Sequence, residues 1–176
     1  GREKELAQLE NAVQQLVREG KGQVIIISGE AGIGKTRLLM ELWQRMSQED
    51  ILILEGCCLA HTSSINYFPF VEMLRTYFGL KPNGDATTQW ENVRDRLLAL
   101  GLPADNKTLA PLIALLRLPL PDPLQEQLAH FNPLQLQTHI FMAVRDLLLA
   151  EAARRPVIVA IDDLHWADEL SLDLLV

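Results

Sequence analysis

The chain has 176 residues, 48% hydrophobic and 22% charged, which excludes a disordered segment and suits one globular domain. Lys and Arg total 16 against 23 Asp and Glu, a formal charge of −7. That balance argues against nucleic-acid binding by this segment, where a basic patch is the expected footprint. The longest apolar run, Leu109 to Leu116, is far short of the roughly 18 residues a bilayer span needs, so no membrane contact is expected.

Leu6, Leu9, Val13, Leu16 and Val17 recur at helical spacing, and Gly20 and Gly22 close that first predicted helix. Val24-Ile25-Ile26-Ile27 is a short β-branched run, predicted to be a strand buried on both faces. A glycine-rich turn follows, then a helix with Leu38, Leu39, Leu42, Trp43 and Met46 on one side. Ile51–Leu54 reads as a second strand, and strand, helix, strand in this order predicts a parallel sheet. The middle is mostly helical. Pro69 suits the first turn of a helix through Val71, Leu74 and Phe78, and Trp90, Val93, Leu97 and Leu98 mark another. Leu109–Leu118 is short and apolar, and Pro119, Pro121 and Pro123 are expected to forbid regular structure after it. A long amphipathic helix carries Leu136, Ile140, Val144, Leu147 and Leu148. It leads past Pro156 to Val157–Ile161, a third predicted buried strand. There is no internal repeat.

Gly29-Glu30-Ala31-Gly32-Ile33-Gly34-Lys35-Thr36 satisfies G-x-x-x-x-G-K-[ST] at every fixed position, between a predicted strand and a predicted helix. The glycines let the backbone fold into a concave nest of N–H groups, and the helix N-terminus adds its positive end to the same spot. Lys35 can reach the β- and γ-phosphates of a nucleotide, and the Thr36 hydroxyl can ligate Mg²⁺.

The third predicted strand ends in Asp162-Asp163, at the carboxyl edge where open α/β sheets bind ligands. Asp162 is a candidate to hold Mg²⁺, chiefly through a bound water. Asp163 is a candidate to orient or deprotonate the attacking water, its competing role being to cap the next turn. Adjacent at the end of a strand, the two side chains are expected to point in opposite directions, so that only one leans toward the metal and the other addresses a different feature. His165 is read as a partly buried, hydrogen-bonded residue, with γ-phosphate sensing as the alternative, and Trp166 as a packing residue. Asp168, before Glu169, is read as a helix N-cap. The adjacent Cys57 and Cys58 are read as reduced thiols, which points to the cytoplasm.

With these residues placed, the chain resembles the AAA-type ATPase modules of the STAND signal-transduction ATPases. Within these, it is similar to the branch found in large LuxR-type regulators and in fusions to adenylate cyclase or Ser/Thr kinase domains. The strings Gly29–Leu39 (GEAGIGKTRLL) and Asp162–Asp168 (DDLHWAD) carry the resemblance, with Gly1-Arg2-Glu3 at its start. It implies one P-loop ATPase domain over residues 1–176, a three-layer α/β sandwich of the AAA/RecA-like kind with a mainly parallel sheet, incomplete at its C-terminus. Implied cofactors are ATP or ADP with Mg²⁺. Implied contacts are Gly29, Glu30, Ala31, Gly32, Ile33, Gly34, Lys35, Thr36 and Arg37 around the phosphates, and Gly1 and Arg2 beside the base. Thr36 and Asp162 are implied at the metal, and Lys35 and Asp163 in catalysis. Where many hydrolytic relatives have Glu, this chain has Asp163, which fits slow turnover and a switch role. The absence of an initiator Met suggests a piece of a longer protein, so sensors, an arginine finger and a lid are expected elsewhere. Effector domains in the same chain, and self-association on ATP binding, are the expected partners. A non-hydrolysing nucleotide switch and, less favoured, a P-loop small-molecule kinase are the alternatives; a DNA-working motor is disfavoured by the acidic charge.

Overall fold

The computed structural model of the chain describes residues 2–105, 107–120 and 122–175. The chain divides into two compact units, Gly1–Leu52 and Ile53–Val176.

The first unit holds two packed helices, α1 (Glu3–Glu19) and α2 (Lys35–Arg45). Helix α1 has Glu3 and Glu5 in its first turn and Arg18 in its last, which complements the helix dipole. It buries Leu6, Leu9 and Val13, while Val17 faces solvent. Gly20 ends it in the left-handed region at φ 65°, its N–H donating to the Leu16 carbonyl at 3.0 Å. Helix α2 buries Leu38 and Leu42. Arg45 then ties the pair together, reaching Glu10 at 3.0 Å and Glu3 at 3.6 Å on α1, and Glu41 at 2.8 Å on α2.

The expected strand Val24–Ile27 is not formed. The segment has no regular structure, and Ile26 is 86% exposed. A strand exists only through a ladder partner, and among its described residues this unit offers no second strand to pair with.

The second unit contains β1 (Leu52–Cys57, beginning at the unit boundary), α3 (Phe68–Tyr77), α4 (Ala86–Ala99), α5 (Leu109–Leu115), α6 (Asp122–Leu128), α7 (Pro133–Ala152), β2 (Val157–Asp162) and α8 (Glu169–Leu175). Strand β1 runs further than Ile51–Leu54 would suggest and alternates, with Leu54 and Gly56 buried and Glu55 and Cys57 exposed. β1 and β2 pair with each other. The Cys58 N–H donates to the Asp162 carbonyl at 3.0 Å, so the two C-terminal ends meet and the strands run parallel. β2 is half-buried rather than covered on both faces, because a two-stranded sheet leaves surface open. The mainly parallel sheet of a three-layer sandwich is thus reduced to two strands among the described residues.

The core of this unit is helical: Leu74, Val93, Leu97, Leu112, Ile113 and Leu147 are fully buried, with α5 packed on α4, α6 and α7. Helix α4 starts at a capping Asp85 and α7 at an Asn132/Gln135 capping box. The proline-rich stretch does contain a helix, contrary to expectation. Pro123 falls in the first turn of α6, where its missing N–H has no intrahelical partner to lose. Pro121 lies outside the described residues. One buried charge links three helices. Glu151 of α7, 2% exposed, accepts hydrogen bonds from the Tyr77 hydroxyl of α3 and the Arg96 guanidinium of α4, and Arg155 approaches it at 3.4 Å.

Candidate functional site

The glycine-rich loop lies wholly in the first unit. Gly32 (φ 74°) and Gly34 (φ 93°) are left-handed, a region that costs residues with a Cβ. Such alternation is the backbone pattern from which anion-binding nests are built. A side chain at either glycine would meet nothing within 4 Å, so conformation rather than space selects glycine there. Gly34 is the N-cap of α2, and no side chain caps that helix end; its first turn carries no acid. The positive end of α2 is therefore left for something other than a side chain to satisfy. The Lys35 ammonium folds back over the loop and donates to the carbonyls of Gly29 (3.1 Å) and Glu30 (3.2 Å). Thr36 and Arg37 follow in the first turn of α2.

Arg2 reaches the same loop, its guanidinium donating to the Ile33 carbonyl at 2.5 Å. It also lines a cavity of about 460 Å³ together with Glu5, Gln8, Ile25, Gly29 and Ile33. That volume is within the roughly 300–1,000 Å³ range of small-molecule sites. Gly1, the other expected base-side contact, lies outside the described residues.

The acid pair lies in the second unit. Asp162 is the last residue of β2 and half-buried, and its Oδ1 accepts the Asp163 N–H at 2.9 Å. Asp163 is outside the strand, exposed, and left-handed at φ 53°. Strand alternation therefore does not separate the two carboxylates; the backbone reversal at Asp163 does. A left-handed non-glycine residue costs on the order of 1 kcal/mol and persists where its surroundings over-determine it. Asp163 opens a 3-10 turn, Leu164–Trp166, through its carbonyl (Trp166 N–H at 2.9 Å), and its carboxylate makes no cap hydrogen bond.

His165 is exposed rather than partly buried, with Nδ1 4.0 Å from the Asp163 carboxylate, beyond hydrogen-bond range. Trp166 is also exposed, tilted against the His165 ring at 5.0 Å instead of packing in the core. Asp168 is the N-cap of α8: its Oδ1 accepts the Ser171 N–H at 3.0 Å. It does more than the sequence indicates, because the same oxygen accepts the Tyr67 N–H at 3.1 Å. No local signal could reveal a partner so distant in sequence. The two cysteines are free thiols, Cys57 exposed and Cys58 buried. Among the described residues no three of His, Cys, Asp and Glu gather as a metal site.

A glycine loop opening a helix, and a parallel strand whose last residue is an aspartate with a second aspartate just beyond it, are features of the phosphate-loop α/β class. The chain belongs to the AAA ATPase domain family, whose model matches residues 1–176, and this makes it a P-loop nucleotide-binding ATPase module. It is similar to the uncharacterized protein R02095 of Rhizobium meliloti (strain 1021), with 28% identity over 176 residues, taking in 94% of this chain. The chain spans 16% of that relative's length. No solved structure matches it. No helix among the described residues is long and apolar enough to cross a membrane.

Proposed function

We propose that this chain is an ATP-binding, slowly hydrolysing switch module of the STAND type, working in the cytoplasm within a larger signalling or transcription-regulating protein. In this reading residues 1–176 are one domain, built toward a three-layer sandwich. The effector domains are elsewhere in the same protein, and ATP binding promotes self-association; this segment contacts neither nucleic acid nor membrane. The observation that carries the reading is the loop itself: two left-handed glycines, an uncapped α2 N-terminus and the Lys35 ammonium converge on one small region. A polyphosphate satisfies all three at once.

Gly29 to Thr36, with Arg37, hold the phosphates, Lys35 replacing its two carbonyl acceptors with phosphate oxygens. Arg2 and Gly1 border the base, the cavity beside Arg2 having the volume for it. The Thr36 hydroxyl and Asp162 carboxylate are the hard oxygen donors Mg²⁺ prefers, and they would hold it. Mg²⁺, when bound, neutralises charge developing on the phosphates. Asp163, exposed and without a capping duty, accepts a proton from the attacking water.

Removing the Lys35 ammonium tests the reading. A charge-assisted contact contributes about 1.5–3 kcal/mol, so Lys35→Ala should weaken ATP binding roughly ten- to a hundred-fold in a fluorescent-nucleotide titration. Equal affinity in the two proteins would remove the assignment. Asp162→Ala should weaken binding only when Mg²⁺ is present. Asp163→Asn should keep MgATP affinity within about threefold while slowing single-turnover hydrolysis about 10²-fold or more. No phosphate release from the intact, stimulated protein favours a non-hydrolysing switch instead.

A further inference from the structure

The connection leaving β1 and the connection leaving β2 are joined at two points. At the first, the Cys58 N–H donates to the Asp162 carbonyl at 3.0 Å. At the second, the Tyr67 N–H donates to Asp168 Oδ1 at 3.1 Å. Asp168 is 7% exposed, and its carboxylate also takes the Ser171 N–H (3.0 Å) and the Ser171 hydroxyl (2.5 Å). Capping α8 needs only the Ser171 bonds. The Tyr67 bond is additional, and it lands on a residue at φ 61°, left-handed without being glycine, at the start of α3.

Between these joins runs the turn that begins at Asp163. Local bonds shape it: the Asp163 N–H to its neighbour's carboxylate, and the Trp166 and Ala167 N–H groups to Asp163 and Leu164 carbonyls. None of these fixes where the turn sits against the β1 connection. The two joins do, one at each end. We infer that Asp168 is a positioning residue for the acid pair: by binding the Tyr67 backbone it anchors the far end of the turn and so holds Asp163 in its left-handed, outward setting. This rests on the reading of Asp163 as the residue that handles water. Asp168 touches no substrate in this scheme; it acts through Asp163.

The test uses the intact protein and two variants. Asp168→Ser keeps a good helix cap for α8 but is too short to reach Tyr67 as well. Asp168→Asn keeps the shape and a carbonyl oxygen for Tyr67 and Ser171. Displacing a reacting group by about 1 Å can lower a rate roughly 10²-fold. Asp168→Ser should therefore slow single-turnover ATP hydrolysis about ten- to a hundred-fold while leaving MgATP affinity within about threefold. Asp168→Asn should recover the rate to within about threefold. Amide hydrogen exchange at Tyr67 should be slow in the wild type and in Asp168→Asn, and fast in Asp168→Ser. A loss of fold would depress affinity and rate together, whereas repositioning splits them. Hydrolysis by Asp168→Ser at the wild-type rate, with the Tyr67 amide opened, would overturn the inference and leave Asp168 a helix cap. So would an Asp168→Asn variant as slow as Asp168→Ser, since charge and not the anchor would then matter. If Asp168→Ser does not fold, a Tyr67 amide exchanging in the wild type as fast as an open loop overturns it alone. Absence of ATP binding or turnover in the wild type itself refutes the ATPase reading instead, and the exchange measurement still reports on the anchor.

Discussion

Val24–Ile27 and Val157–Ile161 are nearly the same in composition: short, β-branched, each leading into residues proposed above for the site. The second is a strand and the first is not. Val157–Asp162 has β1 beside it and helix α7 packed against it. Val24–Ile27 has no strand partner among the described residues of its own unit, and Val24, Ile25 and Ile26 lie exposed. Apolar β-branched residues make a strand possible, but hydrogen-bond partners make it actual. A related contrast holds between the glycine loop of the first unit and the acid pair of the second. The loop's bend is set by its own left-handed glycines, whereas the turn that begins at Asp163 lies between two hydrogen bonds to residues far away in sequence, Cys58 to Asp162 and Tyr67 to Asp168.

The largest expected effect lies on the anchored side. Glu151→Ala, just ahead of β2, removes the carboxylate that accepts from Tyr77 and Arg96; a hydrogen bond to a charged group contributes about 1.5–3 kcal/mol, so losing the two should cost about 3–5 kcal/mol. Thermal or urea unfolding measures it; a change under about 1 kcal/mol would mean that this carboxylate does not hold α3, α4 and α7 together. Next, Leu54→Ala in β1 should destabilise by about 2–5 kcal/mol, whereas Ile26→Ala should change stability by no more than about 0.5 kcal/mol. A loss at Ile26 as large as at Leu54 breaks the comparison, because Val24–Ile27 would then be packed in the folded protein. Glycines divide the same way. A Cβ at Gly56 would lie 2.8 Å from the Pro69 carbonyl oxygen, so Gly56→Ala should cost about 1–3 kcal/mol through crowding. Gly34→Ala meets no neighbour, and should cost only the left-handed penalty of about 1–2 kcal/mol.

The smallest effect concerns acid. Burial pushes the Glu151 carboxyl up, but the Tyr77 hydroxyl and the Arg96 and Arg155 guanidinia more than offset this, holding it below its ordinary value of 4.5. A carboxyl lowered on folding adds stability that is complete above its unfolded value and lost as pH falls through the folded one. Unfolding midpoints should therefore be flat near neutrality and fall below about pH 4.5, with Glu151→Gln flatter than wild type there.

Much of this was legible in the chain. Apolar periodicity located α1, α2, α3, α4 and α7, and Asp168 was readable as a cap because capping is local. The left-handed turns at Gly32 and Gly34 were legible for the same reason: that backbone shape is written in consecutive residues. What escaped depends on distance. The Glu151 network joins three helices, and the Asp168–Tyr67 bond joins two connections, with no pattern to announce either. The missing strand at Val24 escaped because pairing is a property of two segments, and α6 because a proline stop can also be a helix start.

The cysteines have a practical consequence. Two thiols sit next to each other, one on the outward side of β1 and one shut in the core, with the outward one beside the strand that ends in Asp162. Burial, with Asp162 and Asp163 adding to it, raises the Cys57 thiol above its ordinary value of 9, so little of it is the reactive thiolate at neutral pH. Alkylation there should be slow at pH 7 and quicken as pH rises. Cys58, pushed up to about 11 by burial and by Cys57, should stay silent. A fluorophore attached in mildly alkaline buffer would thus report from a single place, next to the carboxylates assigned to metal and water.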